Sequence, residues 1–213
     1  MSKRVTGSVF IVDDDADFGL SMQWFLESCN YPAYYFSDTR TFLDSYKGEM
    51  GCMLLNPSMP NMDGLTLMET MRTRNIHLPV IMISGQSDIP QVVAAIKAGA
   101  LDYIPKPCDQ NKVLSVVESG LQLASEQHQE QQRTATTRNN YQLLSRREKQ
   151  VMELVVNGYA NREIAESLGI SPKTVEVHRS RVMGKMQADS LPALVNFAME
   201  LGKQNKAELA RST

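Results

Sequence analysis

"GCMLLNPSMPNMDGLTLMETMR", residues 51–72, is the stretch on which the fold turns. Cys52 to Leu55 form a short apolar run of strand length. A polar turn rich in Asn, Pro, Asp and Gly follows, and a helical pattern begins at Leu65. Strand, turn and helix in that order make one βα unit. The side chain at the strand's end is Asn56, an amide where the chemistry of the turn would suit a carboxylate.

Further runs repeat the pattern on both sides: "SVFIV" (8–12), "AYYF" (33–36), "PVIMI" (79–83) and "DYIP" (102–105). Periodic stretches alternate with them, among them "FGLSMQWFLESC" (18–29), "IPQVVAAIKAG" (89–99) and "NKVLSVVESGLQLA" (111–124). Five such units predict an α/β domain over residues 6–124, a flavodoxin-like, doubly wound, five-stranded parallel sheet. The crevice of such a sheet lies at the C-terminal ends of its strands. Leu114, Val117, Leu121 and Ala124 recur at helical steps and are expected to pack on their own sheet.

Residues 125–140 offer almost nothing to a core and read as a linker whose first part is helical. From residue 141 to about 205 the pattern is wholly helical. "LSRREKQVMELVVNG" (144–158) opens on a Ser145/Glu148 capping box, and "NREIAESLG" (161–169) stops at Gly169. "SPKTVEVHRSRVMGKM" (171–186) starts with a Ser cap and Pro172, and "SLPALVNFAMELG" (190–202) closes a four-helix set.

The charge is uneven. Through Asn139 there are 11 Lys/Arg against 16 Asp/Glu; from Asn140 onward the count is 11 against 8. An acidic front and a basic back fit two domains, the second facing nucleic acid. No apolar run is long enough to span a bilayer, and the first residues lack a signal-peptide core, so a cytoplasmic protein is expected. Three cysteines without a CxxC pair predict reduced thiols rather than a metal site.

At the sheet's expected rim, Asp13, Asp14 and Asp15 follow the first strand. Such carboxylates suit Mg²⁺, although Asp15 or Asp17 also fits as a helix cap. Ser84 and Lys106 end two other strands. A hydroxyl, an ammonium and an acidic pair around one crevice make a site for phosphoryl chemistry.

"VFIVDDD", "SMPNMDG", "ISGQSDIP" and "AGALDYIPKP" resemble the motifs of bacterial response-regulator receiver domains, those of the FixJ/NarL group above all. The resemblance implies that Asp14, helped by Asp13 and the backbone carbonyl of Ser58, holds Mg²⁺. It implies that Ser84 and Lys106 bind phosphoryl oxygens, that Tyr103 changes rotamer on activation, and that Lys106–Pro107 is cis. It also places Asn56 at the phospho-acceptor position, where the family has Asp.

An amide is no nucleophile: its nitrogen lone pair is tied up in resonance and its oxygen carries no charge. Deamidation through the next backbone nitrogen is closed off, because Pro57 has no N–H. Losing one negative charge weakens Mg²⁺ binding at the pair. The chain therefore reads as an atypical receiver that runs without phosphorylation. Two alternatives stand beside it: a conventional phosphorylation-activated regulator in which Asn56 replaces an acceptor Asp, or a module that sequesters a histidine kinase. Acceptance of phosphate by Asp14 is a minor third route. No catalytic residues, and so no enzyme, are expected.

The back half resembles the LuxR-type helix-turn-helix domain, and implies double-stranded DNA as ligand. By helical spacing Lys173, Glu176, Val177 and Ser180 share a face, with Thr174, His178 and Arg181 beside them. The resemblance makes Glu176, Val177 and Ser180 base-edge readers. Lys173, Thr174, His178, Arg181 and Lys185 are placed for phosphates, with Val175, Val182 and Met186 in the core. Leu191, Leu194, Val195 and Ala198 are expected as an exposed stripe through which a homodimer forms on DNA. A histidine kinase and RNA polymerase complete the implied partners.

Overall fold

The computed structural model describes residues 6–85 and 89–211, with side chains described as far as Gly202. The middle of "ISGQSDIP", residues 86–88, lies outside the described residues. The chain divides into two compact units, Met1–Gln129 and Glu130–Thr213.

The first unit holds β1 (Ser8–Val12), α1 (Ala16–Ser28), β2 (Ala33–Phe36), α2 (Thr39–Ser45), β3 (Gly51–Leu55), α3 (Gly64–Thr73), β4 (Val80–Ser84), α4 (Ile89–Lys97) and β5 (Asp102–Pro105). All strand pairs are parallel, in the order β2-β1-β3-β4-β5. The five expected runs are these five strands, each within a residue at either end. Strands covered on both faces bury every side chain, which is why β3 is apolar throughout and β4 is apolar up to its last residue, Ser84.

Alternate residues divide between two cores. Val9, Ile11, Cys52, Leu54, Ile81, Ile83 and Ile104 meet Met22 and Leu26 of α1 on one face. Val117 and Leu121 pack into that same core, with Leu114 against it, and Ala124 is buried, as expected for a helix lying on its own sheet. Phe10, Val12, Met53, Leu55, Val80 and Met82 meet Phe42 of α2 and Leu67 and Met71 of α3 on the other. The residues that follow the buried strand ends, Asp13 after Val12 and Asn56 after Leu55, reach the C-terminal rim.

α5 is one helix from Gln110 to Gln142 and includes the whole stretch expected as a linker. After Gly120 it contains neither Gly nor Pro, and Arg133 pairs with Glu130 one turn back at 2.9 Å.

In the second unit follow α6 (Arg146–Val156), α7 (Asn161–Leu168), α8 (Pro172–Met186) and α9 (Leu191–Arg211). The capping box is formed: Ser145 Oγ accepts the Glu148 N–H at 3.3 Å while Glu148 accepts the Ser145 N–H at 2.7 Å. Gly169 ends α7 with φ at +64°, the left-handed region in which glycine costs least. Val175, Val182 and Met186 are buried, as their spacing predicted, among residues of α6, α7 and α9. Leu194 corrects an expectation: it is 1% exposed, because α9 turns that face onto α6. The exposed stripe on α9 reduces to Leu191, with Val195 and Ala198 half-buried.

Candidate functional sites

The C-terminal ends of β1, β2, β3, β4 and β5 and the start of α1 meet at one rim of the sheet. Asp13 follows β1 directly with its side chain buried, and Asp14 and Asp15 are exposed beyond it. Asp15 is the N-cap of α1, accepting the Phe18 N–H at 3.1 Å, which confirms the capping role anticipated for it. Tyr35, at the end of β2, donates its hydroxyl to the Asp13 backbone carbonyl at 2.9 Å. Gly19 makes room for that ring: a Cβ there would lie 2.1 Å from a Tyr35 ring carbon.

Asp13 is the hub. Its Oδ2 accepts Lys106 Nζ at 2.6 Å, and its Oδ1 accepts the Asp15 N–H at 3.1 Å. The Lys106 ammonium also lies 3.8 Å from the centre of the Phe18 ring, a cation–π contact that holds it over the acidic end of β1. Lys106 N donates to the Ser84 carbonyl at 2.8 Å, which ties the buried Ser84 to the same corner, and Lys106–Pro107 is a cis peptide. Cys108, two residues on, has its thiol pushed above the ordinary range by burial, with the Asp13 charge adding to it and Lys106 opposing. Tyr103 is half-buried and packs against the Met53–Met82 face of the sheet.

Asn56 follows β3 directly. Its Nδ2 donates to Asp14 Oδ1 at 2.8 Å and to Asp13 Oδ1 at 3.2 Å, and its Oδ1 accepts the Ser58 N–H at 3.1 Å. The structure thus joins Asp13, Asp14, Asn56, Ser58, Ser84 and Lys106 in one network. Tyr35, Phe18 and Gly19 were missed by sequence reasoning. They sit in helix and strand patterns that read as ordinary packing, and only their spatial neighbours give them a role.

In the second unit α8 presents Lys173, Glu176, Val177, Ser180 and Arg181 to solvent, with Thr174 and His178 half-buried beside them. Ser171 Oγ caps α8 by accepting the Thr174 N–H at 3.1 Å. Lys173 pairs with Glu176 at 2.7 Å. His178 Nδ1 is enclosed, with no hydrogen-bond partner among the described residues. Lys185, expected to meet a phosphate, donates its ammonium within the chain to the buried Glu148 at 2.7 Å and to the Leu143 carbonyl at 3.1 Å. A link that sequence reasoning missed joins the two helices of the turn, Arg179 donating to Asn161 Oδ1 at 2.8 Å.

Residues 9–118 match the response regulator receiver domain, and residues 142–198 match the bacterial regulatory proteins of the luxR family. The chain therefore belongs to the response regulators that join a receiver to a LuxR-type DNA-binding domain. Within them it is a transcriptional response regulator of the FixJ and TodT type. It is 35% identical to the transcriptional regulatory protein FixJ of Bradyrhizobium diazoefficiens, over 93% of this chain and 98% of that one. It is 36% identical to the response regulator protein TodT of Pseudomonas putida, over 94% and 88% of the two chains. Among solved structures, the response regulator StyR superposes with a TM-score of 0.80 at 34% identity, covering 91% of this chain and 98% of that one. Full-length FixJ from B. japonicum follows with a TM-score of 0.55 at 34% identity, over 92% and 98%. The relatives are named as regulators, DNA is the ligand of the LuxR-type domain, and a histidine kinase is the partner that a receiver implies. Among the described residues no helix is long and apolar enough to cross a membrane.

Receiver domains generally bind Mg²⁺ at their phosphorylation site. The donor set here does not fit the ion as it stands. Asp13 and Asp14 are engaged by an amide NH₂, and the side-chain oxygen, the one atom of the Asn56 side chain that could ligate a hard cation, is turned to the Ser58 N–H.

Proposed function

We propose that this regulator controls transcription with a receiver that does not accept phosphate. The reading rests on one observation: the side chain that closes β3, beside Asp13, Asp14 and Lys106, is the amide of Asn56. Asn56 takes the place of the acceptor carboxylate and offers no nucleophile. The balance between resting and active receiver is then set by protein concentration, by a partner or by an intrinsic bias towards one state.

In this reading α8 enters the major groove. Glu176, Val177 and Ser180 read base edges, a Glu accepting from cytosine N4 and a Val touching a thymine methyl. Lys173, Thr174, His178 and Arg181 meet phosphates, while Lys185 supports the helix from within. Two copies bind as a homodimer, with Leu191 of α9 in the contact, and engage RNA polymerase at the promoter. A kinase that docks on the receiver acts by binding and not by phosphoryl transfer.

The test is operator affinity of the full chain with and without a small-molecule phosphodonor, alongside Asn56→Asp. The native chain is expected to bind equally in both conditions, with a donor response gained only by the variant. A donor-dependent rise in the native chain would overturn the reading.

A further inference from the structure

The orientation of the Asn56 amide follows from its neighbours. Carboxylates only accept hydrogen bonds, and both Asp13 and Asp14 lie within 3.2 Å of Nδ2. The Ser58 N–H, 3.1 Å from Oδ1, only donates. Turning the amide over would set its oxygen against two carboxylates and its NH₂ against an N–H. Three hydrogen bonds therefore fix the nitrogen end on the acidic pair.

A hard divalent cation at such a rim neutralises the pair and ties the end of β1 to the end of β3. Here the amide makes the tie between the two strand ends, and the charge is met by Lys106. The two N–H groups of the amide satisfy one oxygen of each carboxylate, while Lys106, at 2.6 Å, supplies the positive charge for Asp13. Admitting the ion would mean breaking the three hydrogen bonds of the Asn56 side chain and rotating Oδ1 inward. We propose that the Asn56 side chain is a built-in substitute for the divalent cation, so that this receiver's rim is complete and stable without metal.

The inference deepens the phosphate-independent reading, and rests on it for the position of Asn56, but its test reads neither DNA binding nor phosphoryl transfer. The full chain and its Asn56→Asp variant are unfolded thermally near neutral pH, in chelator and in millimolar Mg²⁺, at matched ionic strength. The native receiver transition is expected at the same temperature in both. The variant gathers three carboxylates around one ammonium, so its transition is expected to fall by about 4 °C in chelator and to recover with Mg²⁺. A Mg²⁺-dependent rise in the native protein as large as the variant's would overturn the proposal. So would a variant as stable as the native chain in chelator.

Should the variant fail to fold, the native protein decides alone. The two Asn56 side-chain amide proton resonances are followed by NMR as Mg²⁺ is added. Unchanged shifts support the substitution of amide for ion. A saturable displacement at millimolar Mg²⁺ shows the amide giving way, and overturns it. The operator experiment above can fail in either direction without moving these results.

Discussion

Lys185, in the last turn of α8, donates to Glu148 Oε2 at 2.7 Å, and that same oxygen accepts the N–H of Ser145 at 2.7 Å. One carboxylate, with its side chain 3% exposed, therefore both caps α6 and anchors the C-terminal turn of α8. The cation also stands where the dipole of α8 favours positive charge.

Replacing Lys185 by Met would leave that carboxylate without its counter-charge. Lys185 is itself 38% exposed, so the cost is screened to about 1–3 kcal/mol, read as a lower denaturant midpoint for the helical unit. Operator binding should weaken with the salt slope unchanged. A variant of native stability whose salt slope falls by about one would instead make Lys185 a phosphate contact.

The pH dependence has a definite sign. The Lys185 hydrogen bond, followed by the Ser145 N–H, holds the Glu148 carboxyl at about 2, below its ordinary 4.5. A depressed folded value gives stability that is fully present above the ordinary pKa and lost as pH falls from there towards 2. The stability difference between the native chain and Glu148→Gln should therefore be flat down to a pH of about 5 and shrink below it. A difference that widens on acidification would contradict the sign.

How far the sequence could be read depended on whether a residue's role was local. β3 and β4 were legible because strands covered on both faces are apolar nearly throughout, and the rim residues because they end strands. α2 was not picked out: it is seven residues long and buries only Thr39, Phe42 and Leu43, too few to show a period. Residues 125–140 read as a linker because they offer few core side chains, yet a helix without a breaker needs few of them, and Arg133 bonds to Glu200 from there. Spacing placed Leu191 and Leu194 on one face but could not say which part of that face α6 covers. The Asn56 bonds join residues 42 and 43 positions apart, which no local pattern encodes.

Gly19 and Tyr35 carry a packing prediction. An alanine at 19 would put its Cβ 2.1 Å from the Tyr35 ring, so Gly19→Ala should cost about 1–3 kcal/mol and displace the hydroxyl from the Asp13 carbonyl. In a Tyr35→Ala background the same change should cost far less. A double-mutant cycle by urea unfolding measures the coupling, and additive costs would show that the ring is not what Gly19 accommodates.

On α9, Leu194→Ala should destabilise the helical unit by about 2–5 kcal/mol, as expected for a fully buried leucine. Leu191→Ala should leave the unfolding midpoint in place and lower the affinity for a two-half-site operator while sparing that for a single half-site. Equal losses at both operators would remove Leu191 from the dimer contact.

The exposed face of α8 separates specificity from affinity. Val177 has no charge to offer a phosphate, so Val177→Ala should relax discrimination at one base pair and leave the salt dependence unchanged. Arg181→Ala should do the reverse: weaker binding at all sequences and a salt slope smaller by about one. Glu176 lies between these cases, because in the free protein it pairs with Lys173 on an exposed face, where solvent screens the attraction. That pair opens easily, so Glu176 can turn to a cytosine while Lys173 swings to the backbone. Glu176→Gln should therefore change which base is preferred more than it changes the tightest affinity. Binding measured over a panel of single-base operator variants at two salt concentrations reads both quantities at once. A Glu176 variant that weakens every operator equally would return that residue to a supporting role on the helix.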